Sequence, residues 1–245
     1  MTGPRMTLRC AAATHPGLTR PVNEDAVLAA HPVFLVADGM GGHADGELAS
    51  RAVISAFREL VGKTWVTAQD ITAAVQRAAD RVECLGSGDG APGSTLAGAA
   101  SARRAGIACW LLFNIGDSRI YLMRSGQLRR ISVDHSTRIS SAGPGTRGGL
   151  VRAFGAGLER PVADQWLTPA HAGDRILVCS DGLSDEVAGE YLERVLRERS
   201  EPQEVVRRLV GKALAEGGRD NISVIVVDCL ETVVTEIDEL DEVVS

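Results

Sequence analysis

The sequence predicts an α+β fold in which two antiparallel β-sheets pack on each other and pairs of helices cover their outer faces. Three observations lead to this prediction. Strand-like apolar runs dominate the chain, and segments with helical periodicity occur as two pairs. Strands and helices also do not alternate along the chain, as they would in a parallel βαβ fold. Antiparallel sheets covered by helix pairs therefore fit the order of the elements best.

Apolar runs bounded by Gly, Pro, Asp or Asn predict the strands. They are LRCAAAT (8–14), AVLAA (26–30), VFLVAD (33–38), STLAGAASA (94–102), GIACWLLFNI (106–115), RIYLMR (119–124), DRILVCSD (174–181) and NISVIVVD (221–228). The 245-residue chain shows no separate linker and no internal repeat. We therefore expect one domain over residues 1–230.

Helical periodicity predicts two helices in the first half of the chain and two near its end. The first follows the glycine-rich stretch VADGMGGHADGE, with Asp45 as its N-cap. Its expected buried face consists of Leu48, Ala52, Val53, Ala56, Phe57 and Leu60. The other three run from about Ala68 to Cys84, from Glu190 to Arg199, and from Pro202 to Glu216. Pro202 suits the first turn of the last helix.

Two segments lack both kinds of periodicity. Residues 136–149, STRISSAGPGTRGG, are rich in Ser, Gly and Arg and predict a mobile surface loop. Residues 231–245, ETVVTEIDELDEVVS, are acidic without counter-charge and predict a partly disordered C-terminal tail. No function follows for the tail.

Composition excludes several classes of function. The net charge of −6 argues against nucleic acid as the main partner, because binding to phosphates needs a basic face. The longest apolar run, Ile107 to Phe113, is too short to span a bilayer, and the first residues lack a secretory signal. The five cysteines show no CxxC spacing, so reduced thiols are favoured over disulfides or a zinc site. We expect a cytoplasmic protein and a monomer.

Acidic residues stand at the ends of the predicted strands. They are Glu24, Asp25, Asp38, Asp117, Asp181 and Asp220. If the sheets bring these ends to one edge, five or six carboxylates converge and repel each other. Mg²⁺ or Mn²⁺, which prefer oxygen ligands, would remove that repulsion. Two such ions that share a carboxylate can position a hydroxide for attack on phosphorus.

Each of these motifs also has a purely structural interpretation. Asp-Gly is a common turn dipeptide and also occurs at Asp45-Gly46 and Asp89-Gly90. Gly116-Asp117 could be an ordinary hairpin turn, and Asp220-Asn221 could merely begin a strand. Only the coincidence of all the acidic residues at strand ends favours a metal site.

Six segments resemble, in their order, the motifs of metal-dependent PPM (PP2C-type) protein phosphatases. They are RPVNED, VADGMGGHADGELAS, GSTLAGA, NIGDSRIYLMRSGQL, ILVCSDGLSDEV and GGRDNISVIVVD. The resemblance covers roughly residues 8–230 and is strongest to the bacterial serine/threonine phosphatases that oppose Hanks-type kinases. It implies a four-layer α-β-β-α sandwich with a two-metal centre at one edge. The implied substrates are phosphorylated proteins, including a cognate serine/threonine kinase.

The resemblance also implies ligands for two core Mg²⁺ or Mn²⁺ ions. By motif position, Asp38 would bridge both ions, and Asp181 with Asp220 would complete the shell of one. Glu24 and the backbone carbonyl of Gly39 would serve the other. The implied reaction is in-line attack of a metal-bridging hydroxide on phosphoserine or phosphothreonine, without a phosphoenzyme.

Further roles follow from the same motifs. Asp117 matches a ligand of the third, more weakly held ion of bacterial members. Asp25 would hold metal-bound water, and Arg20 would capture the phosphoryl group through its planar guanidinium. Eukaryotic members carry a His at the position of Met40. Here His43 is the candidate general acid, although a His that only structures the loop is an equal alternative.

The segment 136–149 is shorter than the flap of bacterial relatives, which puts a flap contribution to the third ion and to substrate selection in doubt. Two other functions stay open. A pseudophosphatase would bind phosphoproteins without catalysis, but such proteins generally lose metal carboxylates that are present here. The third candidate is a phosphatase of anti-sigma-factor antagonist proteins.

Overall fold

The computed structural model describes residues 5–41, 45–88, 90–138, 147–198 and 200–233. The helices are α1 (Asp45–Phe57), α2 (Ala68–Glu83), α3 (Asp181–Ser184), α4 (Gly189–Arg197) and α5 (Pro202–Ala215). The strands are β1 (Arg5–His15), β2 (Ala26–Ala30), β3 (Val33–Ala37), β4 (Gly39–Met40), β5 (Gly93–Ser94), β6 (Leu96–Arg104), β7 (Ile107–Ile115), β8 (Arg119–Arg124), β9 (Gln127–Arg130), β10 (Ser136–Arg138), β11 (Arg147–Leu150), β12 (Phe154–Gly155), β13 (Asp164–Pro169), β14 (Arg175–Cys179) and β15 (Ile222–Val233). Among these helices, none is long and apolar enough to cross a membrane.

Two five-stranded sheets form the centre of the fold. Their strand orders are β1-β15-β14-β8-β9 and β13-β7-β6-β3-β2, and the pairs within them are antiparallel. The prediction of antiparallel sheets is therefore confirmed.

Alternation along the strands creates the layers, because successive side chains of a strand point to opposite faces. In β3, Val33 and Leu35 pack with α1 and α2, whereas Phe34 and Val36 pack between the two sheets. The same alternation in β14 directs Leu177 toward α4 and α5 on the far side. Three apolar clusters thus separate four layers, as expected for an α-β-β-α sandwich.

The predicted buried face of α1 is displaced from the observed one. Leu48 is 48% exposed, whereas Ala49 and Ile54 are buried. The buried side begins with Gly46 and Ala49, small residues that let α1 approach the loop of Glu24. Small residues carry little apolar signal, and the pattern therefore favoured Leu48. The helix ends at Phe57, and a 3₁₀ turn over Arg58–Leu60 buries Leu60.

The structure contains strands that the sequence analysis does not predict. Strands β10 and β11 pair at the two ends of the segment 136–149, while residues 139–146 lie outside the described residues. Strand β13 pairs with β7. Its sequence is partly polar and therefore lacks the apolar run by which the other strands were predicted. Strand β15 continues to Val233, so residues 231–233 belong to the sheet rather than to the predicted tail.

The cysteines agree with the expectation of reduced thiols. Cys109, Cys179 and Cys229 are buried, whereas Cys10 and Cys84 are exposed. Burial raises the pKa of the Cys229 thiol to about 11, which favours the protonated and unreactive form. Cys109, Cys179 and Cys229 are therefore packing residues.

Candidate metal centre

The strand register brings the predicted acidic positions to one edge of the sandwich. Ala26 pairs with Ala37, so Asp25 and Asp38 flank the same end of a two-strand ladder. The end of β6 at Leu96 pairs with Ile115, which places the turn before Asp117 beside it. In the other sheet, Cys179 pairs with both Arg119 and Val224. Asp181 and Asp220 therefore leave that sheet at the edge where Asp117 lies.

The electrostatics of Asp38 agree with this placement of the strand ends. Burial raises the pKa of Asp38 well above its ordinary value, and repulsion from four other carboxylates raises it further. They are Asp25, Asp181, Asp117 and Asp220. Either protonation of these carboxylates or a bound cation would relieve their repulsion.

Asp25 is a second strongly perturbed group. Burial raises its pKa to about 6, with smaller contributions from Asp220 and Glu24. The Ser180 hydroxyl donates a hydrogen bond to Asp25 Oδ2 at 2.8 Å, and Ser180 Oγ accepts the Ser223 amide at 2.9 Å. These bonds fix the Asp25 carboxylate between the strand ends.

Among the described residues, two buried oxygens at this edge have no hydrogen-bond partner: Glu24 Oε1 and Asp25 Oδ1. Leaving such an atom unsatisfied costs about 1–3 kcal/mol, and more for a charged group. A hard cation would satisfy both oxygens. The described donor set, made of carboxylates and backbone carbonyls, therefore fits Mg²⁺ or Mn²⁺ better than a thiolate-binding metal.

Gly39 and Gly46 allow the close approach of Glu24. A Cβ atom on Gly39 would lie 2.1 Å from the Gly46 carbonyl oxygen and 2.5 Å from that of Glu24. A Cβ on Gly46 would lie 2.4 Å from Glu24 Oε1. The Gly39 amide also donates to the Glu24 carbonyl at 3.2 Å. Both glycines are thus required by space, which gives a reason for the glycine-rich stretch.

Thr95 fixes the backbone of Asp38. The Asp38 amide donates to Thr95 Oγ1 at 3.1 Å, and the Thr95 amide donates back to the Asp38 carbonyl at 2.9 Å. Thr95 Oγ1 also lies 2.8 Å from the hydroxyl of Ser118, the residue after Asp117. These contacts make Thr95 a support for the strand end that carries Asp38.

Arg20 lies at the rim of this edge. Its Nη2 donates to Asp220 Oδ2 at 2.8 Å, and about half of its side chain is exposed. Asp220 raises the pKa of Arg20, with further contributions from Glu24 and Asp181. The guanidinium therefore lies within the field of the carboxylates and still faces solvent.

Asn221 is a supporting residue that the sequence analysis missed. Its Oδ1 accepts the Glu24 amide at 2.8 Å, and its Nδ2 donates to the carbonyls of Pro16 and Val22, each at 2.9 Å. One buried amide thus ties down both ends of the loop that carries Arg20. Its position directly after Asp220 was the available signal.

Within the described ranges, no three His, Cys, Asp or Glu side chains stand together as a ready-made metal site. His43, the candidate general acid, belongs to residues 42–44, which lie outside the described residues. Its role stays a prediction.

The raised pKa of Asp25 predicts how stability depends on pH when a chelator is present. The folded value of about 6 exceeds the value of roughly 3.9 in an unfolded chain, so the folded state binds the extra proton. The resulting stabilisation is present below pH ~4 and is lost as the pH rises through about 6, by roughly 3 kcal/mol.

Urea unfolding at pH 4.5 and pH 7.5 checks this expectation in the wild type and in Asp25→Asn. Subtracting the two removes contributions from distant titrating groups such as His31, because well-separated sites add, whereas the interaction of Asp25 with Asp38 stays in the difference. The variant should lose the part of the pH-dependent difference that Asp25 contributes, whereas the part from Asp38, whose pKa is also raised, should remain. If the free energy of unfolding changed equally between the two pH values in both proteins, the assignment would be contradicted.

The comparisons with known proteins agree with the fold. The sequence profile of Protein phosphatase 2C matches residues 21–216. The serine/threonine protein phosphatase PstP of Mycobacterium tuberculosis is 35% identical over 92% of this chain, which covers 46% of PstP. The chain thus spans about half the length of this relative. The serine/threonine phosphatase stp of Listeria monocytogenes is 29% identical over 80% of this chain and 84% of its own length.

A solved structure of the catalytic domain of PstP in complex with two manganese ions has the same fold. It is 36% identical, with a TM-score of 0.78, and the match covers 91% of this chain and 99% of that domain. Family profile, relatives and architecture point the same way, and this chain belongs to the Protein phosphatase 2C family.

Proposed function

We propose that this chain is a Mg²⁺- or Mn²⁺-dependent protein phosphatase that hydrolyses phosphoserine and phosphothreonine monoesters. The observation that carries the proposal is the convergence of acidic residues at one sheet edge, with unpartnered buried oxygens on Glu24 and Asp25. Arg20 adds a cation at the rim of the same edge. The printed names of the relatives, which are serine/threonine phosphatases, support the substrate class.

The proposed ligands of two core ions come from four segments of the chain. Asp38 would bridge the ions, Asp181 and Asp220 would complete one shell, and Glu24 with the Gly39 carbonyl would serve the other. Asp117 would contribute to a third, more weakly held ion. When bound, the ions supply Lewis-acid stabilisation of phosphoryl charge and a lowered pKa for the attacking water.

The other residues of the edge bind and orient. Arg20 donates only one of its five N–H groups to Asp220 in the contact seen here, and the remaining donors suit a phosphoryl oxygen pair. Asp25, held by Ser180, would orient water through its second oxygen. Thr95 fixes the Asp38 backbone so that its carboxylate cannot drift as charge develops.

The finer assignments belong to the same proposal. The substrates would be phosphorylated proteins, including a cognate serine/threonine kinase, and the enzyme would act as a monomer in the cytoplasm. The buried thiols Cys109, Cys179 and Cys229 support a reducing compartment. The chain's acidic net charge of −6 does not favour a nucleic-acid partner.

A hydrolysis assay with a phosphothreonine peptide and an aryl phosphate tests the proposal. Phosphate release should require Mn²⁺ or Mg²⁺, stop with a chelator and return when excess metal is added. Release that persists unchanged in chelator would contradict it. Peptide binding without hydrolysis and without metal binding would instead identify a non-catalytic binding module. Faster turnover of phosphorylated anti-sigma-factor antagonists than of phosphorylated kinase would identify the antagonists as the substrate class.

A further inference from the structure

His135 lies between the turn that carries Asp117 and the base of the flap. The flap base is defined here as β10, β11 and the following residues Val151 and Arg152. Gly116 is bound by His135 on both sides: its amide donates to His135 Nδ1 at 3.1 Å, and its carbonyl accepts the His135 amide at 3.0 Å. On the other side, the Val151 amide donates to the His135 carbonyl at 2.9 Å. His135 itself is 8% exposed.

These contacts fix the tautomer of the imidazole. Because Nδ1 accepts the Gly116 amide, the ring proton lies on Nε2, which then donates to Asp164 Oδ2 at 3.1 Å. Arg152 Nη1 binds Asp164 Oδ1 at 2.6 Å and holds that carboxylate in place. Nη1 also lies 3.2 Å from Nε2, but two donors form no hydrogen bond. Asp164, which Arg152 holds in place, therefore keeps the ring proton on Nε2 and leaves Nδ1 able to accept the Gly116 amide.

Gly116 has little freedom to move apart from its neighbours. Its φ of +97° is one that residues with side chains rarely adopt, and a Cβ would lie 2.7 Å from Thr95 Cγ2. The Gly116 carbonyl also accepts Asn114 Nδ2 at 3.1 Å. Since Thr95 binds the Asp38 backbone, the Gly116 turn lies against the support of the predicted bridging ligand.

We propose that His135 is a positioning residue that couples the flap base to the Asp117 turn through Asp164 and the fixed tautomer. A change at the flap base would reach Asp117 as a change in the hydrogen bond to the Gly116 amide. The proposal rests on the function proposed above for its catalytic consequence, but the coupling itself is a property of the protein that can be measured without catalysis.

Asp164→Ala tests the coupling from the flap side. It should free Nε2, mix the two tautomers and speed hydrogen exchange of the Gly116 amide by about tenfold, as expected for loss of one hydrogen bond. Nitrogen chemical shifts of the His135 ring report the tautomer directly. The Mn²⁺ concentration for half-maximal activity should rise about tenfold, while KM for a phosphopeptide stays within about threefold.

His135→Asn is the conservative variant, because its Oδ1 can accept the Gly116 amide without a partner at Asp164. It should keep Gly116 exchange and the Mn²⁺ response within about threefold of the wild type. Adding Asp164→Ala to it should then change neither quantity, since the connecting group is gone. Trp110→Phe is the matched control, because it removes the buried bond from Trp110 Nε1 to Asp174 at 3.0 Å, near the opposite end of β14. It should leave both quantities unchanged.

Wild-type Gly116 exchange in Asp164→Ala would overturn the proposal, and so would additive effects in the double variant. If the wild type hydrolyses no phosphopeptide, the function proposed above fails, whereas ring shifts and Gly116 exchange in metal-free protein still decide the coupling.

Discussion

Replacing Asp38 by Asn is expected to lower kcat/KM for a phosphopeptide by about 10³-fold or more. Metal-ion stabilisation of phosphoryl charge contributes several kcal/mol, and each 1.4 kcal/mol changes the rate about tenfold. Asp38 is the proposed shared ligand, and burial together with the surrounding carboxylates raises its pKa. Its loss should therefore weaken the binding of both core ions at once. Asp181→Asn should reduce activity in the same direction.

A second effect of Asp38→Asn distinguishes this cause from misfolding. Removing a buried charge that repels Asp25 and Asp117 should stabilise the protein in chelator while it abolishes activity. Thermal unfolding with and without Mn²⁺ measures both. Asp80→Asn is the control, because Asp80 is exposed and binds Arg160 rather than a proposed ligand, and it should behave as the wild type. Full activity of Asp38→Asn would contradict the assignment.

Replacing Arg20 by Ala is expected to lower kcat/KM roughly 10- to 100-fold. Hydrogen bonds to a charged group contribute about 1.5–3 kcal/mol, and Arg20 would lose its bonds to the phosphoryl group. Arg20→Lys should recover only part of this, since an ammonium cannot form the planar bidentate contact. The Mn²⁺ affinity should fall much less than in Asp38→Asn.

Arg219→Ala is the matched control for Arg20. Arg219 is the neighbouring exposed arginine before Asp220, but its guanidinium binds Glu186 at 2.6 Å rather than a proposed metal ligand. We expect kcat/KM of this variant within about threefold of the wild type. Equal losses in both variants would show that general charge, rather than the position of Arg20, supports activity.

Much of the site could be predicted because it follows from strand ends. Alternation and bounding residues locate β3, β14 and β15, and Asp38, Asp181 and Asp220 come next to them. What the sequence could not supply is the register, which decides whether those ends meet. Only pairings such as Ala26 with Ala37 and Cys179 with Val224 bring them to one edge.

The misses have a common physical cause: they depend on contacts between residues distant in sequence. The buried face of α1 is set by the approach of Gly46 to Glu24, which no helical period encodes. Asn221 and His135 act through hydrogen bonds to backbone groups of other segments. Strand β13 takes its conformation from β7 rather than from its own composition.

Calorimetric titration of metal-free protein with Mn²⁺ tests the central claim most directly, namely that these carboxylates form a metal centre. The wild type should bind two ions per chain more tightly than any third ion, and Asp38→Asn should lose at least one of these two. Asp80→Asn should match the wild type. Absence of Mn²⁺ and Mg²⁺ binding by the wild type, or unchanged binding by Asp38→Asn, would contradict the account.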